Sequence, residues 1–226
     1  MSEREQHNKV LLPYLFLNKY CWIIGTKYRK VRNFNSEEMI IVYTEHELKE
    51  LRKAIYEFTA DQLMWEILYI NAVAQHSPAL DVVRNKLLSL PKTFGLIMQN
   101  SVRSPDVKKL TQAVNQGTQL FIQYVNCVFQ GGTDATALKQ KLSENIELIA
   151  KCLHQINAQW GTQQWMTLIQ HQVELTDAVM DSAKQGKYET WENILPIIRK
   201  LKMDMADYLA QGICDLNPWA FTSAIC

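Results

Sequence analysis

Residues 172–213 decide the fold, and they read QVELTDAVMDSAKQGKYETWENILPIIRKLKMDMADYLAQGI. Apolar residues recur every three or four positions on both sides of Gly186, which predicts two amphipathic helices joined by a tight turn. The pattern occurs twice more upstream, each time at an offset of 55 residues, so that Gly117 and Gln62 align with Gln172. One inserted residue in the last copy brings the second helices into the same alignment. A fixed period of this length predicts three helical hairpins in tandem.

The predicted fold class is all-α, with three tandem antiparallel helical hairpins, about six long helices, forming a bundle. Residues 44–226 make up the predicted helical-bundle domain, and residues 1–43 form a short N-terminal extension. Ser77-Pro78 and Ser104-Pro105 have the composition of helix starts, and Gly131 that of a helix end. Each hairpin alone would expose an apolar face, so the three hairpins must pack on one another.

Equivalent positions of the three first helices hold Trp65, Leu120 and Leu175. All three are large and apolar at the same point of the repeat. The sequence therefore predicts that they are buried at equivalent places.

The N-terminal extension differs in composition from the repeats. A small β-hairpin is predicted between residues 21–28 and 38–43, because the second segment is rich in β-branched residues. The apolar stretch from Val10 to Ile24 is interrupted by polar residues and is shorter than the ~20 residues of a membrane-spanning helix. The basic stretch Lys27–Arg32 is typical of a solvated turn, and the alternative is a patch for a phosphate or an acidic partner.

Composition excludes several classes of protein. The net charge of +1 produces no strong field that would attract nucleic acid, and no basic face for nucleic acid is evident in the sequence. The apolar fraction of 47% is enough for a sizeable core. Five irregularly spaced cysteines are typical of reduced thiols in a cytoplasmic protein. No signal peptide is evident in the first residues.

The search for chemistry gives few candidates. Phosphate-binding glycine loops and the nucleophile elbow of hydrolases are absent from the sequence, so no catalytic residue is predicted. His171 and Glu174 lie one helical turn apart, and Asp204 or Asp207 on the partner helix would complete a metal site. A polar, solvent-facing stripe is the more ordinary interpretation of the first two. Asp207 is either a hydrogen-bond acceptor for a neighbouring helix or a buried functional carboxylate.

The segment from Leu48 to Phe221 resembles a family of small, all-helical bacterial proteins that are largely uncharacterised. The resemblance is carried by Leu51-Arg52-Lys53, Trp65, Asn145, Ile149-Ala150, Leu153, Asn157, Trp160, Leu175-Thr176, Gly186-Lys187-Tyr188, Met205-Ala206-Asp207, Leu209, Gly212 and Ile213. Some members bear the label acetylglutamate kinase. That label has no support here, because an amino-acid kinase needs a glycine-rich α/β nucleotide site.

The resemblance also implies a histidine at the repeated face position of each hairpin. This chain has Gln62, Gly117 and Gln172 there, and Leu201 at a further family histidine position. His171 is one residue out of phase and would point about 100° away. Any role of those histidines in binding metal or ligand is therefore expected to be lost.

Three functions remain open from the sequence. The favoured one is a non-enzymatic helical protein that acts as a structural module or binds a protein partner or itself, without a cofactor. The first alternative is a metal- or small-ligand-binding bundle with a pocket lined by Trp65, His171, Glu174 and Asp207; Trp165 is a further candidate for such a pocket. The second alternative is peripheral membrane association through Val10–Ile24 and the basic stretch, although a membrane partner is not favoured.

The lack of a repeated ligand motif leads to a prediction about metal. We expect purified protein to hold well under one equivalent of zinc, iron or manganese, and a chelator to leave its melting temperature unchanged, because stable sites need three or four converging ligands. Elemental analysis beside thermal melts checks this. Stoichiometric metal, with a loss of several degrees on chelation that His171→Ala reproduces, would contradict it.

Overall fold

The computed structural model describes residues 45–131 and 134–216. The predicted N-terminal extension, with its hairpin and its basic stretch, lies outside these residues. The described chain forms six helices and no strand, which confirms the all-α prediction. They are α1 (Glu45–Ala74), α2 (Leu80–Ser101), α3 (Asp106–Gln130), α4 (Ala135–Ile156), α5 (Thr162–Lys184) and α6 (Trp191–Asp215), with a single 3₁₀ turn (Tyr188–Thr190) before α6.

The helices form a closed ring. Each helix packs on the one before it and the one after it, as short connections between long helices favour, and α6 packs back on α1. The first helices of the three hairpins, α1, α3 and α5, also contact one another, which places them around the axis of the bundle. No helix in the described ranges is long and apolar enough to cross a membrane.

Local sequence sets the helix boundaries. The hydroxyl oxygens of Ser77 and Ser104 accept hydrogen bonds from the backbone N–H groups of Ala79 and Asp106, just ahead of α2 and at the start of α3. At its other end α3 stops at Gly131, whose φ of 73° is left-handed and suits glycine. Gly186 has a φ of 68° and ends the hairpin turn after α5 in the same way.

The predicted burial of three equivalent residues is only partly right. Leu120 is buried, whereas Trp65 and Leu175 are half-buried. All three residues lie about 60° around their helix from the positions three residues earlier, which line the interior. They therefore lie at the edge of the interior face, where burial depends on the neighbouring helix. Trp65 lies toward α2, where the ammonium group of Lys86 is 5.9 Å from the centre of its ring.

Among the glycines of the described residues, Gly212 in α6 leaves the least space for a β-carbon. A β-carbon there would lie 1.7 Å from Nε1 of Trp160, a fully buried side chain in the α4–α5 connection. The Trp160 indole N–H donates to the backbone carbonyl of Tyr208, 3.2 Å away, and the amide of Asn157 donates to the carbonyl of Gly212 at 2.9 Å. The connection is therefore bonded to the backbone of α6, and only glycine allows this approach.

This contact predicts that Gly212→Ala destabilises the protein by about 2 kcal/mol or more, in the range of overpacking. Alanine would normally stabilise a helix interior by roughly 0.5–1 kcal/mol relative to glycine. Urea unfolding measures the change. The control is Gly161→Ala, where the nearest atom to a new β-carbon is 3.6 Å away. Equal stability of Gly212→Ala and the parent would show that the contact is not close in solution.

Candidate functional site

A cavity of about 200 Å³ lies between the helices and is lined by residues from all six of them. The cavity follows the sequence repeat. Positions 59, 114 and 169 line it, as do positions 62, 117 and 172 and positions 66, 121 and 176, which are equivalent in α1, α3 and α5. These positions are spaced three and four residues apart and so share one helix face. The repeated face that the sequence identified thus faces this cavity.

The chemistry of the equivalent positions differs from one hairpin to the next. The middle position holds Gln62, Gly117 and Gln172, and the next inward position holds Glu66 in α1 but Phe121 in α3. The second helices differ likewise, because Ile146 in α4 and Lys202 in α6 occupy equivalent positions of the repeat. The cavity therefore has a polar end between α1, α5 and α6, and the rest of its lining is mostly apolar but includes Asn145 and Asp177.

A buried ion pair forms the polar end. The ammonium nitrogen Nζ of Lys202 lies 3.2 Å from Oε2 and 3.4 Å from Oε1 of Glu66. The side chains are 2% and 11% exposed, respectively. Two amides complete the cluster, since Nε2 of Gln62 donates to Oε1 of Glu66 at 2.8 Å and Nε2 of Gln172 donates to Oε2 at 3.3 Å. We call these four residues the polar cluster.

Burial governs the electrostatics of the polar cluster. It lowers the pKa of Lys202 because the charged ammonium group is removed from water, while the charge of Glu66 and its hydrogen bond act in the opposite direction. Three donors on the Glu66 carboxylate satisfy most of its acceptor capacity. The charges of Lys202 and Glu66 thus neutralise each other, and removal of either side chain would leave the other as an unpaired buried charge.

Aromatic side chains line much of the remaining cavity. Trp165 is buried, its ring centre is 5.1 Å from that of Tyr208, and its indole N–H donates to no acceptor in residues 45–131 and 134–216. Phe58 and Phe94 lie with ring centres 5.5 Å apart. Burial, reinforced by the negative charge of Asp177, raises the pKa of Tyr124 well above its ordinary value, so this phenol keeps its proton.

The metal candidates from the sequence lie elsewhere. Nδ1 of His171 is 3.5 Å from Oε2 of Glu174, and both side chains are mostly exposed. Asp207 is exposed and accepts a hydrogen bond from the hydroxyl of Tyr56 on the neighbouring α1. Of the pocket residues proposed from the sequence, Trp165 lines the cavity, whereas Trp65, His171, Glu174 and Asp207 do not. Within the described part of the chain, no three His, Cys, Asp or Glu side chains are grouped to hold a metal ion.

Sequence reasoning missed Glu66 and Lys202. The repeat carried a signal for both, because Glu66 is equivalent to Phe121 and Lys202 lies 56 residues after Ile146, the offset of the last copy. A charged residue at a position that is apolar in another copy is either exposed or paired. Pairing could not be read from the sequence, since the two residues are 136 positions apart.

The chain matches no protein-family model, and comparisons with curated proteins and with solved structures give no significant match. The resemblance to the helical bacterial family stays a prediction, and any function must be inferred from the cavity.

The polar cluster predicts an asymmetry between single and double variants. Lys202→Met should lower the free energy of unfolding by about 3–5 kcal/mol, because it leaves Glu66 charged and buried without its partner. The double variant Lys202→Met with Glu66→Gln should recover most of that loss. Urea unfolding at pH 7 measures both, and a double variant no more stable than the single one would contradict the pairing.

A pH series provides a second readout of the same variants. Because the pKa of Lys202 is lowered in the folded state, the unfolded chain binds this proton more tightly. The stability contributed by Lys202 therefore rises with pH between its lowered pKa and its ordinary value of 10.5. The difference in unfolding free energy between parent and double variant should increase across that pH window. A constant or falling difference would contradict a lowered pKa of Lys202 in the folded state.

Proposed function

We propose that this protein binds a small molecule in the cavity at the centre of its six-helix bundle. The observation that carries the proposal is the cavity itself, which has a polar cluster at one end and a mainly apolar lining. Ligand sites commonly combine a mostly apolar concave surface with a few placed polar groups, and in bundles they lie between facing helices.

The size of the cavity limits the ligand. An apolar cavity of roughly 150 Å³ in another protein accommodates benzene. A cavity of about 200 Å³ is therefore suited to a substituted ring or a short branched chain. Native interiors contain few voids larger than a water molecule, so a cavity of this size also favours a bound molecule.

The remaining hypotheses have less support. Exposed large apolar side chains in the described residues are spread over α1, α2, α4, α6 and the residue after α6, as expected for single surface residues. Action as a protein-interaction module stays a prediction. Peripheral membrane binding depends on Val10–Ile24 and the basic stretch, which lie outside the described residues.

The test uses two small aromatic probes, acetophenone and α-methylstyrene, with isothermal titration calorimetry and thermal melts. We expect at least one probe to bind with a Kd on the order of 0.1 mM and to raise the melting temperature. Val114→Phe should abolish binding, because it adds a ring to a residue that lines the cavity. Absence of binding by both probes, or binding that survives the cavity-filling change, would refute the proposal.

Two controls accompany this test. Val82→Phe makes the same chemical change at a residue that is 69% exposed on α2, and it should leave probe binding unaltered. If Val114→Phe does not fold, Val114→Ala enlarges the cavity instead. That variant should bind the bulkier probe 2-acetylnaphthalene more tightly than the parent does, and an unchanged or weaker affinity would count against the cavity as the site.

A further inference from the structure

The ammonium group of Lys202 has a hydrogen-bond donor to spare. A lysine ammonium carries three N–H groups. Within the described residues, the hydrogen bonds of Nζ go to the two oxygens of a single carboxylate, that of Glu66. At least one N–H therefore has no protein acceptor, and Lys202 lines the cavity. An acceptor atom on a bound molecule would satisfy it.

The charge of the polar cluster restricts the molecule further. Lys202 and Glu66 compensate each other, so the polar end carries no net charge when both are ionised. An anionic ligand would bring a second negative charge beside Glu66, and a cationic one a second positive charge beside Lys202. Either would leave an unpaired charge beside the polar cluster, which is costly. The other carboxylate of the lining, Asp177, already has a cationic partner, because Nζ of Lys139 lies 2.6 Å from its Oδ2. A neutral ligand avoids both costs.

The acceptor is more suitably a carbonyl than a hydroxyl group. A carbonyl oxygen only accepts hydrogen bonds, whereas a buried hydroxyl also needs an acceptor for its own proton. The Glu66 carboxylate already accepts from three side chains, Gln62, Gln172 and Lys202. The two glutamines act as positioning residues, because their amides hold the carboxylate that in turn holds Nζ.

We propose that the cavity selects small neutral molecules with an apolar body and one carbonyl oxygen, which accepts a hydrogen bond from Nζ of Lys202. This inference rests on the proposed function and adds the chemical class of the ligand. Phe58, Phe94, Phe121 and Trp165 line the cavity and would contact the apolar body.

Comparison of the two probes tests this class directly. Acetophenone and α-methylstyrene have nearly the same shape, but the second has a methylene group in place of the carbonyl oxygen. We expect acetophenone to bind the parent protein at least about tenfold more tightly than α-methylstyrene, because a hydrogen bond from a charged donor strengthens binding by about that factor. Affinities within threefold of each other would overturn the carbonyl assignment while leaving ligand binding in place. Failure of both probes to bind would overturn the inference and the proposed function together.

A pair of double variants assigns the preference to Lys202. Lys202→Met with Glu66→Gln should remove the preference for acetophenone, so that the two probes bind alike. The control is Lys200→Met with Asp204→Asn, which removes an exposed ion pair on the same helix, in which Nζ of Lys200 lies 2.7 Å from Oδ2 of Asp204. The control should keep the tenfold preference. A preference retained in the first double variant would overturn the role of Lys202.

Charged probes test the requirement for neutrality. Benzoate and 1-phenylethylammonium have similar bodies but carry a negative and a positive charge, respectively. Both should bind at least about tenfold more weakly than acetophenone at pH 7. Benzoate that binds as tightly as acetophenone, or more tightly, would show that Lys202 recognises anions and would overturn the inference.

Discussion

The ion pair between Lys202 and Glu66 joins the last helix of the chain to the first. Helices α1 and α6 are far apart in sequence, and their contact closes the ring of six helices. Gln172 extends the same cluster to α5. Buried pairs of this kind seldom add much net stability, because desolvation opposes their attraction, but a broken pair is costly. The pair therefore disfavours arrangements of the last hairpin that would separate the two charges.

The three hairpins share one architecture and differ in their inward chemistry. Equivalent positions supply Gln62, Gly117 and Gln172 to the same cavity, which follows from a repeat arranged around an axis. In the second hairpin, Asn145 approaches Gly117 closely and donates to the carbonyl of Ala113 on the neighbouring helix, 3.1 Å away. A symmetrical scaffold thereby encloses an asymmetrical cavity, with charge concentrated at the end formed by the first and last hairpins.

Much of the fold could be predicted from the sequence, and much less of the site. The repeat identified which positions of the first helices are equivalent, but not which of them line the interior. Trp65 and Leu175 were predicted to be buried and are half-buried, because apolar character alone does not distinguish a core position from a helix–helix boundary. The spacing of His171 and Glu174 puts both on one helix face, yet that face is exposed. Local spacing reports which side chains share a helix face, and it does not report what that face meets.

The sequence by itself determined the helices, their ends and their number, because periodicity, capping residues and left-handed glycines act over a few residues. Only the tertiary structure decided that Glu66 and Lys202 meet, since they are 136 positions apart and each is charged where another copy of the repeat has an apolar residue. The need for glycine at Gly212 was likewise decided by Trp160, which arrives from another connection. Such pairings depend on how helices of similar pattern are arranged in space, and that arrangement is fixed by packing across the whole bundle.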